Sequence, residues 1–288
     1  MGAYLRPTLL HEALGALAGG APSGATWVVL AGATDYYPAR VGHVPDEDVL
    51  DVTALAGLRG IEMVEGGWRI GALTTWTDLA EAQLPPLFDG LRAAALAVGG
   101  LQIQARATVA GNVCNASPAA DGVPNLLAMD AAVELASARG LRRVPVGQFV
   151  VGNRRTVRAP DELVTAIHVP APLPGATVRA TFEKLGSRAY LVISIAMVAA
   201  IAEVDGDGRI ARARVAVGAC SEVAQRLARL ESALVGQLAA EVAAAPADFV
   251  RPDHLADLRP IDDVRGTAEY RRGAALELVR RALAEVLA

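Results

Sequence analysis

A chain of 288 residues with 53% hydrophobic and 20% charged side chains is too apolar for disorder, and long enough for two domains or three small ones. Its net charge of −4, with Arg scattered along the chain, argues against a nucleic-acid partner, which requires a basic face. The longest apolar run, Leu191 to Ala202, is shorter than the ~20 residues that span a bilayer, and no basic segment leads an apolar core at the N-terminus. No transmembrane segment and a cytoplasmic location are therefore expected.

Aromatic residues make up only 4% of the chain, so Ala, Val and Leu must do most of the packing. Cys114 and Cys220 match no zinc or iron–sulfur spacing and read as small buried thiols. His11, His43, His168 and His254 form no ligand pair at helical spacing, so no metal site is expected.

Residues 9–18 read as a short helix stopped at Gly19-Gly20, followed by a buried strand, Trp27 to Leu30, that ends in Ala31-Gly32-Ala33-Thr34-Asp35. A second short strand, Asp48 to Val52, completes a unit that closes near residue 55. Trp68 to Leu73 is strand-like, and Thr75 or Thr77 can cap a helix running through Glu81. Leu87 to Val98 is a helix stopped by Gly99-Gly100, after which Gln104 to Pro124 is poor in long apolar side chains. Ala131 to Leu135 and Leu163 to Val169 read as strands flanking a basic, Gly-containing connection, Arg139 to Arg158. Pro170, Pro172 and Pro174 mark a linker.

Beyond it, Val178 to Lys184, Ile193 to Val204 and Ile210 to Val217 read as antiparallel strands. The last two are joined by Asp205-Gly206-Asp207-Gly208, a hairpin signal because Asp and Gly adopt positive φ at low cost. Helices follow near 222–234, 236–244 and 267–287. The last carries an apolar stripe of Ala275, Leu278, Val279, Ala282 and Leu283. Strands followed by helices predict an α+β C-terminal domain. The expected divisions are 1–55, 56–173 and 176–288.

The chemistry concentrates in two segments. Val29-Leu30-Ala31-Gly32-Ala33-Thr34-Asp35 opens a buried strand into small residues, which let a ligand approach the backbone while consecutive N–H groups form a concave anion site. Ala107-Thr108-Val109-Ala110-Gly111-Asn112 repeats the combination of Thr, small residues and a polar amide. Two such loops can clamp a diphosphate from opposite sides with neutral donors rather than Lys or Arg. Either alone also reads as an ordinary structural turn. No Gly-x-x-x-x-Gly-Lys-Ser/Thr and no Gly-x-Gly-x-x-Gly between strand and helix occurs, so a bound dinucleotide implies a fold other than Rossmann. Downstream, Asp121 can accept hydrogen bonds from a ribose, or simply cap a helix or turn.

Thr108-Val109-Ala110-Gly111-Asn112 running on to Asn115-Ala116-Ser117-Pro118-Ala119-Ala120-Asp121 resembles the Thr-Ile-Gly-Gly-Asn…Asn-Ala-Ser-Pro…Asp signature of the flavin subunits of molybdenum hydroxylases, the CO dehydrogenase and xanthine dehydrogenase class. Leu30-Ala31-Gly32-Ala33-Thr34-Asp35 is similar to that family's first loop, Ala-Gly-Gly-Thr-Asp. Phe182-Glu183-Lys184-Leu185 with Arg188 and Ile193-Ser194, and Arg265-Gly266-Thr267-Ala268-Glu269-Tyr270-Arg271-Arg272, resemble later family segments in the same order.

The resemblance implies a non-Rossmann, vanillyl-alcohol-oxidase-like (PCMH-type) fold of α+β class. Two small subdomains would hold FAD, followed by a C-terminal domain of three-stranded antiparallel sheet and helix bundle. It implies that residues 29–36, through Tyr36, and 108–112 wrap the diphosphate of non-covalent FAD, and that Asp121 contacts the adenosine side. Val98 and Val164 would pack against the flavin, and Lys184 would lie near it. Lys184 is then expected either to stabilise reduced, anionic flavin or to be a solvated Lys at a strand end. Tyr190 is expected to pack in the core, with stacking on the flavin as the alternative. Ala33 and Ala110 stand where the family commonly has Gly. If either needs positive φ, Ala costs on the order of 1 kcal/mol there.

The family's plan also implies partners: a large molybdopterin-binding subunit and a small 2Fe–2S subunit, assembled as a dimer of heterotrimers. Electrons would pass through FAD to NAD, oxygen or a quinone. The rival expectations are a self-sufficient FAD-dependent oxidase or dehydrogenase, and a non-enzymatic assembly module that has lost flavin.

Overall fold

The computed structural model describes residues 2–288. Near the N-terminus, β1 (Tyr4–Leu5), β2 (Val28–Leu30) and β3 (Val49–Asp51) form a small parallel sheet in the order β1-β3-β2, with α1 (Leu10–Gly19) between the first two strands. Ala13 and Leu17 of α1, Trp27 and Leu50 make one apolar cluster that Leu73 and Leu163 of the next layer complete. Parallel strands need crossover connections, which is why so short a sheet requires about fifty residues of chain.

The second sheet is antiparallel, in the order β4-β5-β10-β6-β7. Its strands are β4 (Ile61–Val64), β5 (Gly67–Gly71), β6 (Ala132–Ser137), β7 (Gly140–Pro145) and, after a small hairpin of β8 (Val150–Gly152) and β9 (Arg155–Thr156), β10 (Leu163–Pro170). Between β5 and β6 run the helices α2 (Trp76–Glu81), α3 (Asp89–Ala97), α4 (Leu101–Gln104), α5 (Val109–Asn115) and α6 (Gly122–Ala128). A single turn, α7 (Val146–Phe149), links β7 to β8. Thr75 caps α2: its hydroxyl accepts from Asp78 N–H at 3.1 Å and its own N–H donates to Asp78 Oδ2 at 2.9 Å.

In the C-terminal third, β11 (Thr177–Leu185), β12 (Ala196–Val204) and β13 (Ile210–Gly218) form the expected antiparallel meander, extended at its edge by the two-residue strand β14 (Gln225–Arg226). The expected helix from 222 therefore begins only at α8 (Ala228–Leu234). It is followed by α9 (Ala239–Ala244), α10 (Pro246–Phe249) and α11 (Ala268–Leu287), in which all five residues of the anticipated stripe are buried. The side chains of β12 divide with the period of two that a strand imposes. Met197, Ala199 and Ile201 enter the same core as Phe88 and Leu126 of the middle layer, while Ala196, Val198, Ala200 and Ala202 meet Leu278 and Val279 of α11. The C-terminal sheet is thus covered on both faces, on one of them by the middle part of the chain.

A buried ionic network ties the same two parts together. The Arg214 guanidinium pairs with Glu203, both buried, and reaches Asp130 at 3.1 Å. Arg226 bonds Asp130 at 2.7 Å and Glu231 at 2.5 Å.

Three expectations are corrected. Residues 104–124 hold α5 and the start of α6, which at seven residues each are too short to show a clear apolar period in sequence. The basic connection 139–158 is an edge strand, a helical turn and a hairpin. Tyr190 is 79% exposed, in a loop where Leu191 has φ 53°, and packs in no core.

Candidate functional site

The parallel strand β2 delivers the chain into residues 31–37, which reverse direction through Ala33 at φ 59°. One helical turn closes behind it, with Tyr37 N–H donating to Ala33 O at 3.2 Å. Groups at the start of such a turn have no partner one turn earlier. Accordingly, the N–H groups of Gly32, Ala33, Thr34 and Asp35 donate to no acceptor among the described residues. Successive free N–H groups of this kind form an anion-binding concavity.

Gly32 also allows contact with the second segment. A Cβ there would lie 2.0 Å from the Arg106 carbonyl oxygen and 2.9 Å from Ala107 Cα. No larger residue fits while the two segments touch.

The second segment is the start of a helix rather than a loop. Thr108 is the N-cap of α5, its hydroxyl accepting from Gly111 N–H at 2.9 Å. Val109 is buried in the core and its N–H donates to Thr74 O at 3.0 Å, while Trp76 N–H donates to Ala107 O at 3.2 Å. These bonds fix the start of α5 against the start of α2. The Ala110 N–H is left without an acceptor among the described residues. Ala110 itself is helical, a conformation alanine favours, so only Ala33 of the two alanine positions carries a positive-φ cost.

Both segments line one cleft of about 620 Å³, within the usual range of roughly 300–1,000 Å³ for cofactor sites. Val29, Leu30, Ala31, Gly32, Ala33, Thr34, Asp35 and Tyr36 line it, as do Val98, Thr108, Ala110, Gly111, Asn112, Asn115 and Val164. Val109, Ser117, Asp121 and Lys184 do not. Apolar wall is supplied by Trp27, Leu73, Ile103 and Leu163 as well. Two lining residues hold a buried polar atom with no partner, Trp76 Nε1 and Asn112 Oδ1.

The expectation of purely neutral donors is corrected, because Arg40, Arg154 and Arg158 also line the cleft. Arg40 is paired with Glu47 at 2.5 Å and lies 3.9 Å from the centre of the Tyr36 ring. Arg154 is paired with Asp35 at 2.7 Å, and this pair holds the Asp35 carboxyl below its usual value. Arg158 Nη1 donates to the carbonyls of Ala159 and Glu162 and makes no ion pair among the described residues. In sequence Arg154 and Arg158 lie in the basic connection, and Arg40 lies between the first cleft segment and β3. Nothing in the basic connection signals that Arg154 meets Asp35, 119 positions away. Cys114 lines the cleft half-buried, its thiol pushed up to about 11 by burial. Cys220 is fully buried, as expected of a structural thiol.

Asp121 and Lys184 form a separate buried pair behind the wall that carries Val98. Lys184 Nζ donates to Asp121 Oδ2 at 2.6 Å and to Ala97 O at 3.2 Å, and Ser194 donates to Asp121 Oδ1 at 2.6 Å. Burial pushes the Asp121 carboxyl up, opposed by Lys184 and Ser194. Asp121 precedes α6 without capping it through its side chain, and a ribose contact would require this pair to open. Lys184 is equally far from the solvated strand-end residue that was the alternative, its side chain being 14% exposed.

The donor set fits FAD. A diphosphate matches the free N–H groups, the threonine hydroxyls and the arginine-rich rim, and the apolar wall matches a flavin ring.

Comparison with known proteins points the same way. The family model for the FAD binding domain in molybdopterin dehydrogenase matches residues 1–172, and that for the CO dehydrogenase flavoprotein C-terminal domain matches residues 180–286. The xanthine dehydrogenase FAD-binding subunit of Escherichia coli O157:H7 is 31% identical over 99% of this chain and 96% of its own length. The carbon monoxide dehydrogenase medium chain of Hydrogenophaga pseudoflava is 29% identical over 88% of this chain and 87% of its own. A chain of the reconstituted CO dehydrogenase from Oligotropha carboxidovorans superposes with a TM-score of 0.86, at 26% identity, over 100% of this chain and 98% of that one. This chain belongs to the FAD-binding flavoprotein family of the molybdopterin dehydrogenases, and is an oxidoreductase subunit whose cofactor is FAD.

Proposed function

We propose that this chain holds FAD non-covalently in the cleft between residues 29–36 and 108–115 and serves as the electron relay of a molybdenum hydroxylase. In this reading, electrons arrive from the 2Fe–2S clusters of a small partner subunit, having left substrate at a molybdopterin centre on a large one. They leave to an external acceptor such as NAD, oxygen or a quinone. Bound flavin supplies the ability to take electrons one or two at a time. The chain supplies binding, orientation and charge.

The row of unpartnered N–H groups from Gly32 to Asp35, joined by that of Ala110, carries the reading. Gly32 to Asp35 are half-buried or exposed, so water can serve their N–H groups without a ligand, but successive free N–H groups along one turn form the concavity that an anionic ligand fills. Thr34 and Thr108 add hydroxyls beside them, and Val98 and Val164 offer apolar contact to the ring. Asp121 and Lys184 act from behind the wall, as a fixed pair rather than as direct ligands. The names of the relatives support the partner arrangement, two being medium chains of dehydrogenases and one the medium subunit of a hydroxylase.

The test is to purify the chain with its large and small partner subunits, quantify the flavin extracted from one portion, and follow the absorption of bound flavin in the intact remainder on adding the complex's substrate. One FAD per chain, reduced by substrate only when the iron–sulfur subunit is present, is the expected result. A complex from which no flavin can be extracted refutes the binding reading. Flavin reduced by substrate in the chain alone favours a self-sufficient dehydrogenase.

A further inference from the structure

The hairpin β8–β9 has contacts that neither strand pairing nor core packing explains. At its tip Arg154 adopts φ 54° and donates its backbone N–H to Ala116 O, just past α5, at 2.9 Å. Its guanidinium Nη1 reaches both Asp35 Oδ2 and Asn115 Oδ1 at 2.7 Å, and Nη2 reaches Asp35 Oδ1 at 3.2 Å. On the other flank, Glu222 of the C-terminal part accepts from Asn153 N–H at 3.2 Å and from Arg155 at 3.4 Å. One two-pronged guanidinium therefore ties the first cleft segment to the second, from a hairpin anchored to a third part of the chain.

The Arg154 and Asp35 side chains are 59% and 51% exposed, so this pair contributes little to stability. Its geometry matters for another reason. Asp35 lies within the row of free N–H groups, and an Asp carboxylate can accept from its own and neighbouring backbone N–H groups. A carboxylate in that concavity would occupy the diphosphate position and repel the ligand.

We infer that Arg154 is a positioning residue for the flavin diphosphate: by holding the Asp35 carboxylate in a two-pronged pair against Asn115, it keeps that carboxylate off the free N–H groups of Gly32 to Asp35. The inference rests on the assignment of this cleft to FAD. It separates Asp35 from the other residues of the first segment. Its backbone belongs to the anion site, while its side chain is a competitor that Arg154 restrains. A carboxyl with the ordinary Asp value is ionised at neutral pH, so the competing charge persists when Arg154 is removed.

The experiment measures FAD dissociation constants by flavin fluorescence on the complex after flavin removal. Arg154→Ala is expected to weaken binding on the order of tenfold. Arg154→Lys keeps the charge but loses the two-pronged geometry, and should give a smaller loss, so the series reads even if the alanine variant folds poorly. The deciding variant is Arg154→Ala combined with Asp35→Asn. Removing the competing charge should restore affinity to within about threefold of wild type. If the double variant binds no better than Arg154→Ala, Arg154 is a strap and nothing more, and the inference is overturned. Wild-type affinity in Arg154→Ala overturns it as well. Failure of the wild-type complex to take up FAD would instead overturn the assignment of the cleft.

Discussion

At the residue scale, the site depends on where small side chains sit. Gly32 is required by the close approach of its backbone to Arg106 rather than by its φ. Ala33 and Ala110, which look equivalent beside the family pattern, are physically opposite. Ala33 holds φ 59°, where a Cβ crowds the carbonyl, whereas Ala110 lies in the first turn of α5. Ala33→Gly should therefore raise stability by up to about 1 kcal/mol, and Ala110→Gly should lower it by about 0.5–1 kcal/mol. Urea midpoints of the two variants check this, and the same sign for both would contradict it. The sequence alone flagged both positions but could not distinguish them, because nothing in it marks Ala110 as helical. The arginines of the cleft were out of reach for a different reason. Arg154 meets Asp35 across 119 positions of sequence, a pairing that only the folded chain creates.

At the element scale, the central elements were legible and the peripheral ones were not. β2, β10, β12 and α11 announce themselves because buried strands and an amphipathic helix leave apolar runs or stripes. β4 and β7 are edge strands with mostly exposed side chains, so Met63, Arg142 and Arg143 erase the alternation a reader would look for. The second cleft segment looked like a loop because α5 is seven residues long and is made of small residues and asparagines. Its one clear signal was Thr108, a good N-cap. Thr108→Ala removes the bond to Gly111 N–H and should cost about 1 kcal/mol. It should also weaken flavin retention, since the start of α5 frays beside the diphosphate. A thermal melt with bound-flavin analysis tests both effects, and a destabilised variant that keeps its flavin fully would separate the cap from the site.

In the second sheet, burial pushes Glu134 up, but hydrogen bonds from Thr165 and His168, each at 2.8 Å, prevail and hold its carboxyl below the usual 4.5. A depressed folded value means that the stabilisation is complete above about pH 4.5 and is lost as pH falls through the folded value. Denaturation midpoints should therefore drop on the acid side more steeply in wild type than in Glu134→Gln. Parallel pH profiles would show that Glu134 contributes nothing to this loss.

At the scale of the whole molecule, the three sheets do not form three independent bodies. β12 sends alternate side chains into two cores, one of which it shares with α3 and α6. Arg214 joins Glu203 in the C-terminal sheet to Asp130 beside α6. Arg214→Ala would leave Glu203 buried without its main partner and should cost roughly 3–5 kcal/mol. The loss should appear in a single unfolding transition common to both parts of the chain. A two-step melt with only the later step shifted would contradict the shared core.

The account as a whole rests on amide groups left free by one turn and one helix start. Hydrogen–deuterium exchange with and without FAD measures them directly. In flavin-free protein the amides of residues 32–35 and 110 should exchange fast, having no internal acceptor. On FAD binding they should become strongly protected, with smaller effects elsewhere in the first two sheets. Protection that bypasses these amides and appears at another surface would contradict the cleft as the diphosphate site.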